Sequence, residues 1–230
     1  EAAGRHIRVA VLDSGINASH PDLSGVIDTE YAHNFIDNDS PLTDPFGHGT
    51  YVAGIIGAAG NNSLGITGVM GSDITVLPVK VLGNDGKGSS DALAKGILYA
   101  AGLLDEPHNP SPAEVINLSL AYEPGSSSSA VKDALNAALN AGVIITAASG
   151  NYMSSDSDIY RAVRFPANHP GVIAVGASQE TAQPAAYSCY GYTLDIMAPV
   201  GEGVISTSHE GSSYGWSRGT SMAAHQAAGV

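Results

Sequence analysis

Residues 7–12, IRVAVL, are mainly apolar at consecutive positions rather than at alternating ones. A strand of this kind is covered on both faces, as in a parallel sheet. Five further runs resemble it, namely TVLPVKVL (75–82), VINLSL (115–120), VIITAAS (143–149), VIAVGA (172–177) and LDIMA (194–198). Helix candidates lie between them at 48–59, 90–104, 127–141 and from 220 onward, and Gly142 is expected to end the third. This alternation predicts an α/β fold with a mostly parallel central sheet, helices on both faces and right-handed crossovers.

The composition is that of a folded domain rather than a disordered acidic chain. The chain has 230 residues, of which 43% are hydrophobic and 13% charged, and it has no repeat and no linker, so we expect one domain over 1–230. Nine Lys+Arg against 22 Asp+Glu give a net charge of −13, which excludes a nucleic-acid partner. No apolar run approaches the roughly 18 residues of a membrane span. Cys189 alone makes no internal disulfide.

Four polar residues occupy the strand ends and helix starts where active sites of such sheets gather. Asp13 closes the first strand, His48 precedes a small-residue helix in FGHGTYVAG, Asn151 follows a buried-looking strand, and Ser221 opens the last helix. Taken singly, each is more often a turn, cap or surface residue. Together, in the order Asp, His, Asn, Ser, they supply an orienting acid, a general base, an oxyanion donor and a nucleophile for acyl transfer.

Eleven segments carry a resemblance to a known family: VAVLDSGI, HPDL, GHGTYVAG, NNSLGITGV, VKVLGNDGKG, NLSL, AASGN, FPA, VIAVGAS, MAP and GTSMAA. In order and approximate spacing the chain resembles the subtilisin-like serine proteases, or subtilases, from about Gly4 to its last residue. The resemblance implies a three-layer subtilisin-like fold and a secreted, extracellular serine endopeptidase that works through an acyl-enzyme. It implies Ser221 as nucleophile, His48 as base and then acid, Asp13 as the residue that fixes the imidazole tautomer, and Asn151 as the side-chain half of the oxyanion hole.

The resemblance also implies how a substrate binds. An extended polypeptide is expected to pair with two chain segments, Gly86-Lys87-Gly88 and Ser119-Leu120-Ala121, with Gly150 beside the cleaved bond. Polypeptide substrates and a pro-segment inhibitor are the implied partners, and we expect a monomer. Arg164, in VRFPA, falls at the base of the pocket for the side chain that precedes the cleaved bond. Either its charge selects Glu, Asp or small residues there, or its stem lies on the wall and its head reaches solvent.

The resemblance implies a structural Ca²⁺ at the Gly- and Asn-rich loop NNSLGIT. Judged without the resemblance, this loop is equally well explained as a simple turn. The matching ligands are the side chains of Asp22 and Asn62 and the carbonyl oxygens of Gly60, Leu64 and Ile66. In the family a further ligand comes from an N-terminal arm, which has no counterpart before Gly4 in this sequence, so we expect the site to be weak or empty. A second acidic cluster, Asp37, Asp39 and Asp44, lacks the pattern of a Ca²⁺-binding EF-hand loop, so a solvated loop is expected.

Three departures from the family bear on the comparison. After GTSMAA the family continues Pro-His-Val-Ala-Gly, whereas this chain has His225, Gln226 and Ala227. The family's Gly-Gly after Ser-Leu is Ala121-Tyr122, which is expected to narrow the neighbouring pocket. The chain ends at Val230, where the family has further helices, so it resembles a catalytic domain trimmed at both ends.

Two alternatives to a protease are left open by the sequence. One is a catalytically silent subtilase-like domain that binds peptides, although all four catalytic positions are present. The other is a nucleotide-binding α/β protein, suggested by GNDGKGSS. That string does not fit the phosphate-loop pattern, because Lys87 is followed by Gly88 and not by Ser or Thr.

Overall fold

A computed structural model describes residues 6–37, 41–71, 73–152 and 161–230. Its centre is a parallel sheet of seven strands in the order β2-β3-β1-β4-β5-β6-β7. These strands are β1 (Ile7–Asp13), β2 (His33–Asn34), β3 (Ile74–Lys80), β4 (Val115–Leu118), β5 (Ile144–Ala148), β6 (Ile173–Ser178) and β7 (Ile196–Pro199). A separate antiparallel hairpin consists of β8 (Val204–Thr207) and β9 (Tyr214–Ser217).

Helices cover both faces of the sheet, as the sequence predicts. They are α1 (His48–Gly57), α2 (Ser90–Ala100), α3 (Ser129–Asn140) and α4 (Thr220–Ala228). One apolar cluster joins α2 and α3 to one face, through side chains such as Leu12, Ile97 and Leu135. Two others join α1 and α4 to the opposite face. The predicted three-layer α/β architecture is confirmed. No helix among the described residues is both long and apolar enough to span a membrane.

Local sequence signals explain where two helices end. Gly142 adopts a φ of +87°, a left-handed conformation that glycine accepts easily, and its N–H donates to Leu139 O just beyond α3. The second helix is shorter than expected, since α2 ends at Ala100 and not near residue 104. Gly102, with a φ of +69°, turns the chain there, and Leu103 N donates back to Leu98 O.

The strand order places the end of β1 where ligand sites of such sheets are found. β2 and β3 lie on one side of β1, whereas β4 to β7 lie on the other, so the direction of winding reverses at β1. Ligand sites of open α/β sheets lie outside the carboxyl ends of the strands at such a reversal. Asp13 is the last residue of β1 and therefore lies at this point.

Candidate active site

Asp13 and His48 form the centre of the candidate site. His48 Nδ1 lies 2.8 Å from both carboxylate oxygens of Asp13. The carboxylate is 1% exposed, and its Oδ1 also accepts the Ser14 N–H at 2.7 Å. The structure thus brings these two residues together, although 35 positions separate them.

The electrostatics of this pair follow from its burial and its mutual attraction. Burial favours the neutral form of the His48 ring, but the charge and hydrogen bond of Asp13 outweigh it and hold the pKa of His48 above its ordinary value. Burial likewise opposes ionisation of Asp13. The charge of His48 and the hydrogen bonds from His48 and Ser14 overcome that penalty and hold the pKa of Asp13 below its ordinary value.

The first turn of α1 is held by Asp44, and here the expectation of a solvated loop is wrong. Asp44 is buried, and its Oδ1 accepts from Ser14 Oγ at 2.7 Å and from Gly47 N at 2.9 Å. Its Oδ2 accepts from the Thr50 backbone N–H and hydroxyl, both at 2.7 Å. The carboxylate therefore caps the helix that begins at His48. Asp37 is exposed, as expected, and Asp39 lies outside the described residues.

The glycines on either side of His48 are required by close approaches. A side chain at Gly47 would collide with the ring of His209, and one at Gly49 would collide with the backbone of Gly15. Gly47 also adopts a φ of +86°. These contacts support the interpretation that the glycines of FGHGT let the backbone around His48 pack closely against other parts of the same chain.

Asn151 contacts the start of α4, the helix that carries Ser221. Thr220 N donates to Asn151 Oδ1 at 2.9 Å, so the amide oxygen is occupied and the Nδ2 group is the part of Asn151 that can donate to a ligand. Ser221 lies in the first turn of α4, where backbone N–H groups have no acceptor within the helix. Its Oγ donates to Ser119 O at 3.2 Å, and no hydrogen bond joins it to His48 among the residues described.

The two predicted substrate segments line one groove with His48. This cavity of about 520 Å³ is bordered by Gly86, Lys87, Gly88, Ser119, Leu120 and Ala121 together with Phe46, His48 and Tyr122. The first segment follows β3 and the second follows β4, the two neighbours of β1, so the groove lies over the strand end that carries Asp13. At the border of this groove the Tyr122 hydroxyl lies 2.7 Å from Ser90 Oγ.

Gly150 and Arg164 lie together on the other side of the second segment. A methyl group at Gly150, whose φ is +105°, would come within 2.8 Å of Arg164 Cδ, so the arginine stem lies against that glycine. Arg164 N donates to Ser149 O at 2.9 Å. The arginine lines a second cavity, of about 500 Å³, with Lys132 and His169 rather than the groove beside His48.

The loop predicted to bind Ca²⁺ does gather around Asp22. This fully buried carboxylate accepts Asn62 Nδ2 at 2.7 Å on Oδ1, and Ile66 N at 2.9 Å and Tyr214 OH at 2.8 Å on Oδ2. Burial opposes its ionisation, but these three donors hold the pKa of Asp22 below its ordinary value. The set of carboxylate, amide and carbonyl groups, including those of Gly60 and Leu64, has the oxygen chemistry that Ca²⁺ prefers. In this arrangement, however, the Asn62 oxygen accepts Leu64 N at 2.9 Å.

Three contributors to the site escape the sequence analysis. Asp44 is one, because nothing local distinguishes a capping carboxylate from a solvated one. Lys80 is the second: its side chain is buried, and Nζ donates to Ser14 O. Burial lowers the pKa of Lys80, against the opposing charges of Asp44 and Asp13. The third is His225, which the sequence presents only as a departure from a family pattern and which is fully buried behind Ser221.

A buried carboxylate that orients an imidazole is an arrangement found in serine hydrolases. The model of the Subtilase family matches residues 4–230, and the chain belongs to this family of subtilisin-like serine proteases. Thermitase from Thermoactinomyces vulgaris is 37% identical over 229 residues, which make up 100% of this chain and 75% of that protein. A subtilisin from Bacillus pumilus is 40% identical over 229 residues, 99% of this chain and 76% of that protein.

Solved structures and longer relatives agree with this assignment. A protease from Pseudoalteromonas arctica superimposes with a TM-score of 0.85 at 36% identity, over 97% of this chain and 75% of the other. A thermophilic serine proteinase from Bacillus sp. strain AK1 is 39% identical over 222 residues, but this chain spans only 50% of its length.

Proposed function

We propose that this chain is a secreted serine endopeptidase that hydrolyses peptide bonds of extended polypeptides through an acyl-enzyme. The observation that carries the proposal is the contact of His48 Nδ1 with both oxygens of Asp13. A carboxylate only accepts hydrogen bonds, so the proton of the neutral ring is held on Nδ1. The lone pair of Nε2 is then left to act as a general base.

Ser221 is the proposed nucleophile. For this role its hydroxyl must break its hydrogen bond to Ser119 O and donate instead to His48 Nε2. As Oγ forms a bond to the substrate carbonyl carbon, its proton passes to Nε2 and the π electrons of the carbonyl move onto oxygen. Breaking of the C–N bond then releases the amine, which takes the proton from Nε2. Water repeats the sequence on the acyl-enzyme and releases the acid.

Asn151 Nδ2 and the Ser221 N–H are the proposed donors to the oxyanion. The amide oxygen of Asn151 is fixed by Thr220, so the orientation of the donor is set before substrate arrives. A donor held in place needs no reorganisation when charge develops, and for this reason such groups act mainly on the transition state.

The substrate is proposed to lie as an added strand between residues 86–88 and 119–121. Pairing with backbone groups gives affinity for any extended polypeptide, whereas side-chain pockets give selectivity. The groove of about 520 Å³ between these segments supports this arrangement. We further propose that residues 1–230 form one catalytic domain, and that the protein is a monomer and is extracellular. A pro-segment inhibitor is proposed to occupy the same groove as the substrate. The net charge of −13 suits such a setting.

A structural Ca²⁺ at Asp22 is also proposed. Support comes from the full burial of this carboxylate and from the loop of residues 60–66 that closes over it. Binding requires the Asn62 amide to turn so that its oxygen faces the ion. When bound, the ion would link this loop to the short helical turn Pro21–Leu23, which follows β1 and carries Asp22, and it would stabilise the folded state by mass action.

Covalent labelling tests the main proposal. A fluorophosphonate should label the protein stoichiometrically at Ser221, and the Ser221→Ala variant should not react. The labelled protein should also lose its ability to cleave an unfolded, fluorophore-quenched polypeptide. A folded protein that is neither labelled nor able to cleave would instead support a silent subtilase-like peptide-binding domain.

A further inference from the structure

His225 occupies a polar cluster directly behind the proposed nucleophile. Its side chain is 0% exposed, and it lies one helical turn after Ser221 on α4. The ring contacts Ser221 O through Nδ1, Ser119 Oγ at 2.9 Å from Nδ1, and Asn117 Nδ2 at 2.7 Å from Nε2. Thr146 Oγ1 completes the cluster by donating to Asn117 Oδ1 at 3.0 Å.

These partners define the protonation state of the ring. Ser221 O is a carbonyl oxygen and only accepts, so Nδ1 carries a proton. Asn117 Nδ2 donates, because its own Oδ1 is occupied by the Thr146 hydroxyl, so Nε2 is an acceptor. The ring is therefore neutral with both nitrogens satisfied. Burial lowers the pKa of His225 to about 3, in agreement with this arrangement.

The cluster connects helix α4, which carries Ser221, to the Ser119 segment, and these two parts of the site must keep a fixed relative position. Ser221 belongs to the helix that carries the proposed nucleophile, and Ser119 begins the segment that lines the groove. Ser119 Oγ also reaches Ser221 O at 3.2 Å, and Ser119 O accepts the Ser221 hydroxyl at 3.2 Å. His225 thus contacts both the backbone carbonyl of Ser221 and the side chain of Ser119, whose own carbonyl accepts the Ser221 hydroxyl.

Another buried histidine shows that burial alone does not imply this role. His20 is also 0% exposed, and its ring contacts Ser213 O at 3.0 Å and the Asp22 N–H at 3.2 Å. None of those three residues belongs to the groove or to α4. His20 is therefore a matched control for the removal of a buried, hydrogen-bonded imidazole.

We propose that His225 is a positioning residue, which sets the Ser221 backbone and hydroxyl against the Ser119 segment and so determines the rate of acylation. This role rests on the proposed function, because it presumes that Ser221 is the nucleophile. A leucine would fill a similar volume but would leave Asn117 Nδ2 and Ser119 Oγ with one partner fewer. A glutamine can donate to Ser221 O and accept from Asn117 with a single side chain.

The test compares His225→Leu, His225→Gln and His20→Gln with the parent protein. The readouts are steady-state kinetics on an internally quenched peptide and the rate constant for fluorophosphonate labelling. We expect His225→Leu to lower kcat and the labelling rate roughly 10- to 100-fold, with KM within about threefold, since misplacement of reacting groups acts on the chemical step. His225→Gln should recover most of this loss, and His20→Gln should lower the melting temperature without changing kcat. Should His225→Leu not fold, His225→Asn replaces it, because the shorter amide cannot reach both partners and should show the same loss.

The possible results separate the two proposals. A parent that is labelled at Ser221 and a folded leucine or asparagine variant that is labelled at the parental rate would overturn the positioning role alone. A loss that His225→Gln does not relieve at all would also count against it. A folded parent that is not labelled would overturn the proposed function, and the positioning role would fall with it.

Discussion

Replacing Asp44 by Asn should destabilise the protein and weaken the support of His48. The change keeps the size of the side chain but replaces one carboxylate oxygen by an NH₂ group. Asp44 accepts four hydrogen bonds, two on each oxygen. The Thr50 hydroxyl can rotate and accept from the new amide, but the Thr50 backbone N–H cannot and would face another donor.

The expected cost follows from that single buried N–H and from the lost charge. A buried donor without a partner costs about 1–3 kcal/mol. Loss of a charged cap at a helix start costs roughly 0.5–2 kcal/mol. We therefore expect a destabilisation of about 3 kcal/mol. For a protein of this size that corresponds to a decrease of roughly 6–12 °C in melting temperature.

Urea unfolding at equilibrium, followed by circular dichroism, measures this difference. All variants should carry Ser221→Ala, so that self-digestion does not distort the transition. Asp133→Asn is the control, because this exposed residue on α3 undergoes the same chemical change. An Asp44→Asn protein within 0.5 kcal/mol of its parent would refute the assignment of Asp44 as the cap of α1.

The other predictions concern catalysis, specificity and metal binding. Since the pKa of His48 is raised and the ring must be neutral to act as base, kcat/KM should rise with pH through a pKa above about 6.5. Asp13→Asn should move this pKa downward and lower kcat by roughly 10⁴-fold; an unshifted profile would contradict the pairing. Asn151→Ala should lower kcat about 10²- to 10³-fold with little change in KM, and an effect on KM alone would mean that Asn151 only binds substrate. A peptide library varied at the residue before the cleaved bond separates the two roles of Arg164: selection by its charge gives a preference for Glu, Asp or small residues that Arg164→Gly abolishes, whereas a preference for aromatics that Arg164→Gly leaves unchanged would refute the charge hypothesis. Calcium should raise the melting temperature relative to EGTA in the parent but not in Asp22→Asn, and an equal effect in both would exclude that site.

The sheet could be predicted because its signals are local. The association of Asp13 with His48, 35 positions later, could be expected only from the order Asp, His, Asn, Ser and from the family motifs around each residue. Consecutive apolar residues mark buried parallel strands, and glycines beside a histidine mark a close approach of the backbone. The hairpin of β8 and β9 was missed because its strands, VIST and YGWS, are only four residues long and lie apart from the sheet. Asp44 was mispredicted for a different reason: its burial depends on Ser14, 30 positions earlier in the chain.

The topology explains why residues so far apart in sequence form one groove. The winding of the sheet reverses at β1, so the loops after β3 and β4 leave their strands on opposite sides of the end of β1. Those loops contain Gly86–Gly88 and Ser119–Ala121, and they leave an open groove between them above Asp13. Asp13, at the end of β1, lies between the starts of both loops, and it is buried there while its partner His48 borders the groove. The position of Asp13 thus follows from the order of the strands, whereas the position of Ser221 depends on side-chain contacts with Ser119 and His225.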